Sequence, residues 1–80
     1  MKLFSVFDKK AGIYGPVITQ ANQVIAIRFF ERVAKDKEST IFSYPSDFCL
    51  HYLGEFDDNT GMIKPVPPTS VCEAIDFFNE

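Results

Sequence analysis

The sequence predicts one small α+β domain in the order β-α-β-β-α, a three-stranded, mostly antiparallel sheet with two helices packed on one face. Three observations predict it. Eighty residues suffice for one modest core and not for two. A composition 46% hydrophobic and 15% aromatic, with nine Phe, is that of a chain built to fold. And the apolar pattern changes period along the chain, from strand-like to helical and back. Residues 1–80 are therefore read as a single domain.

The elements follow in order. Leu3–Phe7 is apolar and β-prone and reads as a buried strand. Asp8-Lys9-Lys10-Ala11-Gly12 is a polar turn and Gly15-Pro16 punctuates again, so residues 8–18 read as a loop that exposes Ile13 and Tyr14. Asn22 is a good N-cap for a helix running to about Lys35, with Ala26, Ile27, Phe30, Val33 and Ala34 on its core face. Residues 38–47 are irregular, with Tyr44-Pro45-Ser46-Asp47 as a turn. Phe48–Phe56 reads as a long strand, Asp57-Asp58-Asn59-Thr60-Gly61 as a hairpin turn with Gly61 left-handed, and Met62-Ile63-Lys64 as the returning strand. Pro65, Pro67 and Pro68 keep that strand from being a central one. Ser70-Val71-Cys72-Glu73 fits a capping box, and Val71, Ala74, Ile75 and Phe78 form a helical stripe behind it. The long first connection permits parallel pairing of the first strand, by a right-handed crossover. Phe4, Val6, Leu50 and Tyr52 exceed what two short helices can cover, which points to a dimer or a ligand on the sheet.

Charge is divided unevenly. Residues 1–45 carry seven Lys/Arg against four Asp/Glu, a balance of +3; residues 46–80 carry one against seven, a balance of −6, giving the net −3. An acidic total argues against a purely electrostatic nucleic-acid binder. The basic half can still meet an anion, or the acidic half of a second copy. Arg28, Arg32 and Lys35 form a basic helix face, and Lys9 and Lys10 sit in the preceding turn. The plain reading of that stripe is a solvated helix face, since Glu31 and Asp36 interrupt it. Tyr14, in a loop with glycines on both sides, is the best placed aromatic to stack on an unpaired base, whereas most Phe belong to the core.

Chemistry of other kinds finds little support. Cys49, His51 and Cys72 are too few, and wrongly spaced, for a zinc site. His51 falls on the strand face opposite Leu50 and Tyr52. The acidic turn lacks the length and closing Glu of a calcium loop. Glu55 and Asp57 are turn-end carboxylates rather than a hydrolytic pair. No phosphate loop is present. The expectation is a protein without catalytic residues, metal or cofactor. Two cysteines make no disulfide framework, no apolar run approaches the ~20 residues of a membrane span, and the start reaches a charge too early for a signal peptide. A cytoplasmic protein is expected.

Four stretches carry a family resemblance: Ser5-Val6-Phe7-Asp8-Lys9-Lys10-Ala11-Gly12 with Tyr14-Gly15; Asn22 with Ala26, Arg28 and Phe29; Tyr44-Pro45 with Asp47-Phe48 and Leu50; and Leu53-Gly54-Glu55-Phe56-Asp57-Asp58 with Thr60-Gly61. With these the chain resembles the small nonstructural protein of gokushovirus-type microviruses, tailless icosahedral phages with single-stranded DNA. The resemblance implies a non-enzymatic protein of the host cytoplasm that acts as the phage turns from duplex to single-strand synthesis and packaging. It implies contact with DNA, with the replication initiator or with the capsid protein, and it brings no catalytic residues. On this reading the nucleic-acid-binding residues are Lys9, Lys10, Tyr14, Arg28, Arg32 and Lys35, on single-stranded DNA, in a homodimer. The alternative is a dimeric protein–protein module, an assembly factor or modulator of a host protein, without DNA contact.

Overall fold

A computed structural model describes residues 1–78. Strands β1 (Lys2–Asp8), β2 (Ile13–Tyr14), β3 (Ile18–Gln20), β4 (Phe48–Phe56) and β5 (Ile63–Glu73) form one antiparallel sheet. Its order is β2-β1-β4-β5, and β3 shares with β2 the same edge of β1. Helix α1 (Gln23–Ala34), the single-turn α2 (Thr40–Ser43), a 3₁₀ turn at Pro45–Asp47 and a second at Ala74–Phe78 complete the chain.

Asn22 caps α1 as expected, its side chain accepting from the Ile25 N–H at 2.9 Å. Ala26, Phe30 and Ala34 lie buried against Phe4 and Leu50 of the sheet, with Ile41 and Ala74 closing the cluster. The edge-to-face pair Phe30–Phe77 and the pair Phe42–Phe78 tie the C-terminal 3₁₀ turn over this core. Fully burying a side chain such as Phe30 or Leu50 contributes about 1.5–3 kcal/mol.

The two hairpin turns have one design. In Asp8…Gly12 the Asp8 carboxylate accepts the N–H groups of Lys10 and Ala11, and Gly12 N–H donates to Asp8 C=O at 2.8 Å. In Asp57…Gly61 the Asp57 carboxylate accepts from Asn59 and Thr60, and Gly61 N–H donates to Asp57 C=O at 2.7 Å. Gly12 (φ 73°) and Gly61 (φ 79°) take the left-handed residue that closes each turn. The Asp-x-x-x-Gly pattern in two of the resembling stretches is thus turn chemistry.

Four expectations are corrected. The sheet has five strands, not three, and every pairing is antiparallel; no parallel crossover exists among the described residues. Residues 8–18 are not one loop: Ile13–Tyr14 pairs with Phe7–Asp8, and Gly15 N–H continues the ladder to Val6 C=O. The helix expected from Ser70 is absent. Ser70 pairs with His51, Cys72 with Leu50 and Glu73 with Cys49, so the supposed capping box is the end of β5, and only Ala74–Phe78 turns. The prolines are tolerated because β5 is an edge strand, whose outward N–H positions need no partner. Finally, Phe4 and Leu50 are completely covered and Val6 and Tyr52 pack beside them, so this sheet face is the core, not a spare surface.

Candidate nucleic-acid interface

Alternation along β1 and β4 leaves Ser5, Phe7, Cys49 and His51 on the face away from the helices. Tyr14, opposite Phe7 across the β1–β2 pair, joins them. Three rings meet there. Phe7 and Tyr14 have centroids 4.6 Å apart, Phe7 and His51 stack at 5.3 Å and 23°, and Tyr14 meets His51 edge-on at 5.4 Å. Tyr14 Oη bonds His51 Nδ1 at 2.8 Å, and Cys49 Sγ lies 3.2 Å from His51 Nε2. A neutral imidazole has one donor and one acceptor nitrogen, so this Tyr14–His51–Cys49 chain runs in one direction or the other and fixes all three side chains. Beneath it the Ser5 hydroxyl donates to Gly15 C=O at 2.9 Å, holding the β2 edge to β1.

A thiol beside an imidazole is the geometry of an activated nucleophile. Here the activation is reversed. Burial, then the Glu73 carboxylate, push the Cys49 thiol up, and Cys49 is only 2% exposed. A reactive cysteine needs the opposite shift and an open approach. The group is a rigid aromatic ridge, and Tyr14, 41% exposed, is its accessible crest.

The basic residues are divided between two sides of the sheet. Lys9 sits beside the ridge and hydrogen-bonds Glu73, which raises its pKa. Lys10 follows in the same turn, exposed and without an ion pair among the described residues. Arg28 and Arg32 are exposed on α1, opposite its buried Ala26–Phe30–Ala34 stripe and so behind the sheet. Lys35 pairs with Glu31 at 3.1 Å. The structure thus brings Lys9 and Tyr14 to the ridge face, places Lys10 at a groove that it lines with Asp8, Tyr44 and Asp47, and sets Arg28, Arg32 and Lys35 apart on α1. Phe7, Cys49 and His51, the partners of Tyr14, were not anticipated as a group. The parity of Phe7 and His51 placed them on one face only once the register of β1 with β4 was known.

At the far end of the sheet, Tyr52 donates to Glu55 at 2.6 Å and Lys2 pairs with Glu55 at 3.2 Å. The Tyr52 hydroxyl and then Lys2 hold the Glu55 carboxyl below its usual value. Glu55 is therefore engaged structurally, and Asp57 is occupied by its turn. No cluster of three potential metal ligands occurs among the described residues.

Comparison with known proteins decides the family. Residues 1–77 match the family described as phage ORF5 protein. This chain belongs to that family. It is 34% identical to Protein ORF5 of Chlamydia phage 1, a gokushovirus-type microvirus, over 98% of its own length and 88% of the relative's. The resemblance expected from the four sequence stretches therefore holds. No solved structure matches the chain. As an ORF5-family protein of a microvirus it acts within a host cell, and no helix among its described residues is long and apolar enough to cross a membrane.

Proposed function

We propose that this ORF5-family chain binds single-stranded DNA on the helix-free face of its sheet. Unpaired bases stack on the Phe7–Tyr14–His51 ridge, and phosphates lie along the Lys9–Lys10 turn. The ridge carries the proposal: three mutually braced rings, one of them 41% exposed, on a sheet face that no helix covers, beside Lys9 and the turn that continues to Lys10. Stacking contributes about 1–3 kcal/mol per base and tolerates any sequence. Few cations take part, so the logarithmic salt slope should be shallow, about −1.4 for two phosphates on a single strand. An acidic chain can bind DNA on these terms because stacking, not charge, supplies most of the affinity. A part in single-strand synthesis or packaging accords with membership of a microvirus family.

The test is an anisotropy titration of labelled oligo-dT at low salt, about 50 mM, where phosphate contacts are strongest. Tyr14→Ala should weaken binding about tenfold, one base stack's worth. Absence of binding by the wild-type protein at that salt overturns the proposal.

A protein–protein module is the second reading. Its support is the apolar end of the β4–β5 hairpin, where Met62 and Ile63 are 66% and 57% exposed and Met1 lies hydrogen-bonded to Phe56. It predicts a stable oligomer by light scattering that Met62→Lys dissociates.

A further inference from the structure

We propose a second nucleotide position, selective for a guanine base, in the groove between the β1–β2 turn and the Tyr44–Asp47 segment. It rests on the strand-binding reading above. The groove has a volume of about 290 Å³ and is lined by Asp8, Lys10, Thr40, Tyr44, Asp47 and Phe48. That is at the lower limit of small-molecule sites, which suits one base and its sugar rather than two.

Its walls are fixed to each other. Lys9 N–H donates to Asp47 C=O at 2.8 Å, which fastens the turn to the segment. Tyr44 is 60% exposed, yet its backbone is held on both sides: its N–H donates to Thr40 C=O and its C=O accepts from Asp47 N–H, both at 3.0 Å, and Pro45 follows. An exposed aromatic on a rigid backbone offers a stacking surface at little entropic cost. Its hydroxyl has no hydrogen-bond partner among the described residues.

The charges select the ligand. The Asp8 carboxylate oxygen accepts from Lys10 and Ala11 N–H groups, so it serves the turn. The Asp47 carboxylate accepts no hydrogen bond among the described residues, so both of its oxygens are free to accept in the groove, whereas Asp8 already uses one of its two in the turn. Two carboxylates and one ammonium disfavour a bare phosphate. They favour a base that donates, with its phosphate turned outward to Lys10. Guanine alone presents two adjacent N–H donors on its pairing edge, which match a carboxylate's two oxygens. The groove and the ridge lie on either side of the Lys9–Lys10 turn, so a strand crossing that turn can occupy both.

The test separates the two sites. Amide NMR spectra of the full chain are recorded with guanosine monophosphate and with thymidine monophosphate, while oligo-dT titrations report the ridge independently. Guanosine monophosphate should shift the Thr40, Tyr44 and Phe48 signals, bind about tenfold more tightly than thymidine monophosphate, and lose that preference in Asp47→Asn. Tyr44→Ala should weaken both nucleotides at the groove and leave oligo-dT binding intact. Equal responses to the two nucleotides, or shifts confined to residues around Tyr14, overturn the groove whether or not oligo-dT binds. Loss of oligo-dT binding with the guanosine response preserved overturns the ridge instead.

Discussion

Gly54→Ala should damage this fold more than any other glycine substitution among the three with positive φ. Gly54 lies where β4 and β5 fall out of step, between the Tyr52–Thr69 and Gly54–Pro65 pairs. Its φ of 144° is a conformation that side chains rarely adopt. A Cβ there would stand 2.3 Å from the Lys64 carbonyl oxygen, 3.0 Å from Pro65 Cα and 3.1 Å from Lys64 carbonyl carbon. All three are backbone atoms, so no rotamer change relieves the clash. The backbone conformation costs about 1–3 kcal/mol for a non-glycine residue. Forcing β5 outward costs about another 1–3 kcal/mol, as overpacking does. The sum, about 2–6 kcal/mol, is a large share of the roughly 4–12 kcal/mol expected for a domain of this length. Gly12→Ala and Gly61→Ala are the controls: their Cβ positions meet nothing within 4 Å, so only the left-handed backbone cost of about 1–2 kcal/mol remains. Urea unfolding followed by circular dichroism should show a much lower midpoint for Gly54→Ala than for either control. In a thermal melt its loss should exceed about 8 °C, at about 4–8 °C per kcal/mol. A Gly54→Ala midpoint no lower than that of Gly61→Ala would refute the close approach of the two strands.

Other expectations follow from particular contacts. Arg28→Glu with Arg32→Glu, on α1 behind the sheet, should leave oligo-dT affinity within about twofold if the ridge and its turn form the site, since helix-face charges would act only through screened distance; a loss of tenfold or more moves the site to α1. Glu55 has a lowered pKa, so its contribution to stability is present above its ordinary value of 4.5 and disappears as pH falls through the folded value; urea midpoints measured from pH 6 down to pH 3 should fall less steeply in Glu55→Gln than in wild type. The Cys72 thiol is pushed up to about 11 by burial. At pH 8 its thiolate fraction is then near one in a thousand, so alkylation should be about a hundredfold slower than for an ordinary cysteine; rapid labelling of the folded protein would contradict its packing. Phe30→Ala, at the centre of the core, should lower stability by about 3–5 kcal/mol in urea titrations.

Much of this structure was legible from local signals. Asn22, the Ala26–Phe30–Ala34 spacing and the Gly12 and Gly61 turns state their roles within a few residues, and the structure agrees. The strand Phe48–Phe56 and the placement of His51 opposite Leu50 and Tyr52 were equally plain. What failed was non-local. Ser70-Val71-Cys72-Glu73 has good helix-start chemistry, but pairing of the segment with Cys49–His51 satisfies its backbone in another way and still buries Ala74. Tertiary pairing overrides a cap whose contribution is only about 1 kcal/mol. Ile13–Tyr14 is too short a strand to announce itself between Gly12 and Gly15. The site was half legible for the same reason. Lys9 and Lys10 were read as additions to the basic stripe of α1 and Tyr14 as a separate exposed aromatic; that Lys9 meets Glu73 and Tyr14 meets His51 depends on strand register, which no local pattern reveals.

Both borders of the sheet carry proline. Pro16 interrupts the border formed by β2 and β3, and Pro65, Pro67 and Pro68 stud β5. Neither border can offer the unbroken row of N–H groups on which a neighbouring chain adds a strand. Copies of this protein crowded together in an infected cell are therefore guarded against growing into fibrils by edge pairing. Any oligomer must instead join through a face or through the hairpin end. If it joins through the face that carries Tyr14, self-association hides the ridge, and protein concentration itself becomes a brake on strand binding. If it joins at Met62, every copy added to the assembly keeps its ridge open.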